Sequence, residues 1–124
     1  MSEKKHILLV EDDEFLSELY ATKLNLEGYK VTLANDGEKG LKFAISEKPD
    51  LILLDIVLPK IDGFEVLKQV KSNSAIRNIP IILLTNLSQK DEVDKGLDLG
   101  AVDYLIKAHF MPSEVIKKIK KVFN

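Results

Sequence analysis

Four short aliphatic runs each lead into polar residues, and those residues differ in chemical kind. Ile7, Leu8, Leu9 and Val10 lead into Glu11, Asp12 and Asp13, and Leu51, Ile52, Leu53 and Leu54 lead into Asp55. Ile81, Ile82, Leu83 and Leu84 lead into Thr85, and the shorter Tyr104, Leu105 and Ile106 lead into Lys107. Unalternated runs of Ile, Leu and Val suit strands buried on both faces, as in a parallel sheet. In such a sheet the carboxylates, the hydroxyl and the ammonium converge on the carboxyl edge, where ligands of open α/β folds bind. An acidic cluster beside a lone Lys and Thr points to a divalent cation together with an anion such as a phosphoryl group.

The segments between these runs carry helical spacing. Phe15, Leu16, Leu19 and Leu26 can share a buried stripe, with Gly28 as the C-terminal stop. Val31, Leu33 and Ala34 form a weaker strand closed by the turn pair Asp36 and Gly37. A short helix through Leu41, Ala44 and Ile45 ends before Pro49. Asp62 is a natural N-cap for a helix carrying Phe64, Val66, Leu67 and Val70. Pro80 opens the next strand, where a missing N–H is tolerable. Ser88 with Asp91 resembles a capping box for a helix with Val93, Leu97 and Leu99, and Gly100 ends it in a left-handed conformation. Pro112 suits the first turn of a last helix that turns Val115, Ile116, Ile119, Val122 and Phe123 inward. The pattern is (βα)5. Right-handed crossovers make it a doubly wound, parallel five-stranded α/β sheet, with flavodoxin-like order 2-1-3-4-5 the simplest arrangement. That order sets Glu11, Asp12 and Asp55 side by side.

Composition removes several classes of function. The 124 residues are expected to form one domain, 1–124, with a core of its own. Eighteen basic and 20 acidic residues leave a net charge of −2, so no global charge points to nucleic acid or anionic lipid. The absence of cysteine excludes thiolate catalysis, thiolate metal sites and disulfides. The apolar stretch after Lys4 and Lys5 stops at three acids, too short for a signal peptide, and no run approaches membrane-spanning length. The expectation is a soluble, cytoplasmic protein.

Three carboxylates within a few ångströms repel one another. At ~4 Å and an effective dielectric of ~20, each like pair costs roughly 4 kcal/mol. A divalent cation relieves this, and oxygen-only ligands favour Mg²⁺ or Mn²⁺ over zinc. Lys107 adds a fixed positive charge and Thr85 a donor, so the set can neutralise the oxygens of a phosphoryl group in transfer. A carboxylate held in line can then accept the group as an acyl phosphate. Asp55, alone at its strand end, is the candidate acceptor.

The blocks Val10 to Asp13, Asp55 through Leu58 and Pro59 to Asp62 and Gly63, Leu84 and Thr85, and Asp103 to Lys107 resemble the CheY-like receiver domain of bacterial response regulators. The resemblance covers essentially the whole chain. It implies that Asp55 takes a phosphoryl group from a phosphohistidine or a small acyl phosphate. Asp12 would ligate Mg²⁺ directly, Glu11 would act mainly through a metal-bound water, and the Val57 backbone carbonyl would add a ligand. Thr85 and Lys107 would bind the phosphoryl group, and Tyr104 would rotate inward with Thr85. That rotation would reshape the face made by the fourth helix, fifth strand and fifth helix. The implied partners are a sensor histidine kinase or histidine phosphotransfer protein and an unidentified downstream protein. No DNA-binding domain is read in this sequence, and a monomer or weak phosphorylation-dependent dimer is expected.

Two positions depart from the family pattern. Ala108 stands where a proline preceded by a cis bond is usual, and cis costs ~2.5–4 kcal/mol at a non-proline residue. A trans Lys107–Ala108 bond and a rearranged loop through His109 are therefore expected. Asn86 stands where a small residue commonly follows the Thr.

Plainer readings compete at several positions. Asp13 and Glu14 suit the positive end of the following helix dipole, and Tyr104 could be a core aromatic. His6 and His109 lack metal-ligand spacing and read as ordinary residues. Lys117, Lys118, Lys120 and Lys121 solvate the outer face of the last helix, with recruitment of an acidic partner as a second reading. The favoured function is a phosphorylation-controlled switch that is not an enzyme beyond its own phosphorylation and hydrolysis. Its rivals are a phosphorelay intermediate, a non-phosphorylated pseudo-receiver, and a phosphatase-like enzyme, for which the short loops leave little room.

Overall fold

The computed structural model describes residues 4–85, 90–107 and 112–124. Strands and helices alternate: β1 (His6–Val10), α1 (Glu14–Leu26), β2 (Lys30–Ala34), α2 (Gly37–Glu47), β3 (Leu51–Asp55), α3 (Gly63–Ser72), β4 (Ile81–Thr85), α4 (Lys90–Asp98), β5 (Asp103–Ile106) and α5 (Pro112–Phe123). The strands form one parallel sheet in the order β2-β1-β3-β4-β5, as expected for a flavodoxin-like, doubly wound α/β fold. Asn86, Ser88 of the capping box, the Lys107–Ala108 bond and His109 lie outside the described residues.

Alternate residues of the central strands feed two cores. Leu8, Val10, Ile52, Leu54, Ile81 and Leu83 pack with Ala44 of α2 and Val66, Leu67 and Val70 of α3. Ile7, Leu9, Leu51, Leu53, Ile82 and Leu84 pack with Tyr20 and Leu24 of α1 and Val115, Ile116 and Ile119 of α5. Both faces of β3 and β4 are thus covered, which explains their unalternated sequences. Each fully buried aliphatic side chain contributes roughly 1.5–3 kcal/mol.

The orientation of α1 differs from the sequence expectation. Phe15 and Leu26 are 74% and 76% exposed and Leu19 is 42% exposed, whereas Ser17, Tyr20 and Leu24 face the sheet. Leu16 alone of the expected stripe packs inward, in part. The cause is local. The Ser17 hydroxyl donates to the Glu11 and Asp13 carbonyl oxygens at 3.1 and 3.0 Å, so a polar residue fills an inner position with its hydrogen bond made. Ile45 of α2 and Leu97 of α4 are also more exposed than expected, and Leu99 follows the end of α4 rather than lying in it.

Three aspartates start helices at the carboxyl edge. Asp13, Asp36 and Asp62 accept hydrogen bonds from the backbone N–H of Leu16, Lys39 and Glu65 at 3.0, 2.7 and 2.9 Å. Asp36, read from sequence as half of a turn pair, is therefore the N-cap of α2. Gly28 and Gly100 follow α1 and α4 with φ of +93° and +112°, in agreement with the stops assigned to them.

Candidate functional site

The sheet order brings the polar strand ends together. Val10 pairs with Leu54, so Glu11 and Asp55 each lie one residue beyond a matched pair on neighbouring strands. Asp55 pairs with Leu84 and Thr85 with Ile106, which places Thr85 and Lys107 at the same edge. Carboxylate oxygens of Glu11, Asp12 and Asp55 all lie within 4.8 Å of one another. Glu11 and Asp55 are 1% and 3% exposed, whereas Asp12 faces solvent. They share a cleft of about 360 Å³ with Asp13, Leu16, Val57 and Lys107.

Lys107 is the cation in this acidic set. Its ammonium forms an ion pair with Glu11 and donates to Asp55 Oδ2 at 2.9 Å. The other Glu11 oxygen, Oε2, accepts from the Asp13 backbone N–H at 3.1 Å. Asp55 Oδ1 takes a long, 3.4 Å hydrogen bond from the Val57 N–H. Thr85 is buried, and Tyr104 is half-buried beside Leu83, its partner on β4. The Lys118 ammonium lies 5.4 Å from the Tyr104 ring centroid and is paired with Asp103 at 2.8 Å.

Among the described residues the charges do not balance: three clustered carboxylates have one ion-paired ammonium beside them. Burial raises the Glu11 carboxyl above its ordinary value, against the opposing pull of Lys107 and the Asp13 N–H, and the Asp55 charge adds to the rise. Burial would lower Lys107, but its hydrogen bonds to Glu11 and Asp55 outweigh that and hold it raised. Tyr20, beneath the cluster, is raised first by burial and then by the charges of Glu11, Asp55 and Asp13. An all-oxygen donor set with surplus negative charge fits a hard divalent cation.

The structure thus gathers Glu11, Asp12, Asp55 and Lys107 in one contact network, with Thr85 and Val57 beside it. Tyr104 stands apart, its pair with Leu83 lying two register positions back from that of Thr85 with Ile106. Sequence reasoning missed Ser17, whose hydroxyl holds the Glu11 carbonyl. Its only signal was a small polar residue six positions after Glu11, on a helix read for its apolar stripe.

Comparison with known proteins identifies the family and the fold. The family model for the response regulator receiver domain matches residues 7–120. The alkaline phosphatase synthesis transcriptional regulatory protein PhoP of Bacillus subtilis is 46% identical over 122 residues, covering 97% of this chain and 49% of that protein. The chain spans about half the length of the curated relatives it matches. Chemotaxis protein CheY4 of Vibrio cholerae superposes with a TM-score of 0.89 at 29% identity, over 96% of this chain and 98% of that one. The receiver domain of sensor histidine kinase PA1611 from Pseudomonas aeruginosa PAO1 gives 0.87 at 31% identity, over 95% and 96% of the two chains. That structure has a magnesium ion coordinated in its active site cleft. Among the described residues of the present chain, no helix is long and apolar enough to cross a membrane.

Proposed function

The chain belongs to the response regulator receiver family, and from that premise we propose that it is a phosphorylation-controlled switch with Asp55 as phosphoacceptor. The observation that carries this reading is the Lys107 ammonium spanning Glu11 and Asp55, with Asp12 alongside, at the carboxyl edge of the sheet. An Asp55 carboxylate oxygen attacks the phosphorus of the donor and forms a P–O bond. The bond that breaks is P–N for a phosphohistidine, or P–O for a small acyl phosphate, and its electron pair leaves with the donor. Mg²⁺ or Mn²⁺, when bound, supplies positive charge for the phosphoryl oxygens.

Asp12, Asp55 and the Val57 carbonyl would hold that cation, with Glu11 acting at longer range. Lys107 follows the charge from the carboxylate to the phosphoryl group, and the Thr85 hydroxyl donates to it. Tyr104 then rotates inward, and the face built by α4, β5 and α5 changes its partner. The half-burial of Tyr104 supports this role, since a fully packed ring would have no second position. The donor is a sensor histidine kinase or histidine phosphotransfer protein in the cytoplasm, and the output is a change in what this domain's switched face binds. The chemistry is limited to phosphorylation and hydrolysis of the chain itself.

Intact mass after incubation with a small acyl phosphate tests the reading. One added phosphoryl group is expected in the parent with Mg²⁺, and none without Mg²⁺ or in Asp55→Asn. An adduct that survives Asp55→Asn would contradict it.

A further inference from the structure

The loop that follows Asp55, residues 56–62, carries Val57 and is held by two glycines, Gly63 where its ends meet and Gly37 against its 59–61 stretch. At its far end the Gly63 N–H donates to the Ile56 carbonyl oxygen at 2.7 Å, and a methyl group placed on Gly63 would lie 2.2 Å from the Asp55 carbonyl oxygen. The second contact comes from a different part of the chain. Gly37, the first residue of α2, donates its N–H to the Pro59 carbonyl oxygen at 3.2 Å. A methyl group on Gly37 would lie 1.8 Å from the Ile61 carbonyl oxygen and 2.7 Å from its carbon, so the two backbones are in direct contact.

Between these contacts the loop is strained. The Ile61 N–H donates to the Pro59 carbonyl oxygen at 2.9 Å, which closes a three-residue turn around Lys60. Lys60 has φ +71°, a conformation that a residue with a side chain adopts at a cost and keeps only where its surroundings enforce it. The enforcing group is the α2 N-terminus. Its first N–H groups have no partner within the helix. The Asp36 side chain takes one at Lys39, and the loop carbonyl of Pro59 takes another at Gly37.

We propose that Gly37 is a positioning residue of the phosphoryl and metal site: it bolts the 56–62 loop to α2 and so fixes the Val57 backbone beside Asp55. The inference rests on the reading of Val57 and Asp55 as cation ligands. Gly37 touches no ligand itself and acts through Pro59 and Ile61. Its own backbone does not lie in the left-handed region, so alanine is acceptable to the helix and is the better helix former. Only the approach of the loop forbids it.

Mn²⁺ binding followed by electron paramagnetic resonance separates the outcomes, with Gly37→Ala and Asp12→Asn measured beside the parent and helix content checked by circular dichroism. A folded Gly37→Ala with Mn²⁺ affinity weakened roughly tenfold, the range seen when outer partners of metal ligands are removed, is expected. Affinity within twofold of the parent, while Asp12→Asn loses binding, would overturn the bolt and leave the site reading intact. Unchanged binding in Asp12→Asn would overturn the site reading itself. A second measurement needs no variant. Because coupling between sites is reciprocal, Mn²⁺ should slow hydrogen exchange at the Gly37 and Ile61 amides of the parent, and unaltered exchange there at saturating Mn²⁺ counts against the proposal.

Discussion

The two edges of the sheet use similar polar residues to opposite effect. At the amino edge Asp50 accepts from the His6 backbone N–H at 2.7 Å, and the Thr32 hydroxyl bridges the His6 Nε2 and the Glu47 carboxylate at 2.7 and 2.8 Å. Each acid there meets a donor on a neighbouring element. At the carboxyl edge Glu11 and Asp55, both buried, share the Lys107 ammonium, and the Asp12 carboxylate lies within 4.8 Å of both. The Asp50 and Glu47 carboxylates of the amino edge thus have their hydrogen bonds made. Among the described residues the carboxylate cluster of the carboxyl edge holds more negative charge than its ion-paired lysine offsets, and that deficit marks it as the end that takes a ligand.

Substitutions that deepen or remove the deficit test this contrast, and Lys107→Met should have the largest effect. Lys107 is 7% exposed, and removing one member of a buried ion pair costs about 3–5 kcal/mol because the remaining charge stays unpaired. Urea melts of the metal-free variant should show a loss of that order, partly restored by Mg²⁺ through native-state binding. A loss under about 1 kcal/mol would mean that Lys107 is not the counterion of the cluster.

A smaller effect belongs to Glu11. Its carboxyl is raised in the native state, so between about 4.5 and the raised value the native protein holds more protons than the unfolded chain. Stability from this group is therefore present at low pH and lost as the pH rises. Metal-free parent should lose stability relative to Glu11→Gln across that window, by about 1.4 kcal/mol for each tenfold gain in the proton affinity of the carboxyl on folding. The raised Lys107 acts in the alkaline range: its contribution holds below about 10.5 and fades as the pH passes the raised value. A parent-to-variant difference that stays flat in acid would remove Glu11 from the charge deficit.

Least of all should Glu47→Gln matter. The amide can still accept from Thr32, so a stability change below about 1 kcal/mol is expected, with the Mg²⁺ response unaltered. A changed Mg²⁺ response would show that the two edges are coupled.

Much of this was legible in the sequence, for a physical reason. Strands buried on both faces must be apolar throughout, so β1, β3 and β4 declare themselves, and the residues that interrupt them are the site. Asp62 declared its cap by standing just ahead of an apolar helix face. The rotation of α1 was not legible, because the Ser17 hydroxyl meets its hydrogen-bonding need inside the protein while Phe15, Leu19 and Leu26 lie toward solvent. The reach of Lys107 to Glu11 was also hidden. The two residues follow β5 and β1, strands that β3 and β4 separate, and only the sheet order shows that a lysine can span the gap. The contact between Gly37 and the 56–62 loop joins distant segments through backbone atoms and leaves no pattern in side-chain chemistry.

The most direct measurement is a calorimetric titration of Mg²⁺ into the metal-free parent and into Asp12→Asn at neutral pH. One saturable site in the parent, greatly weakened in Asp12→Asn, is the expected result. Equal binding by both proteins, or none by the parent, would contradict a carboxyl edge built to hold a cation.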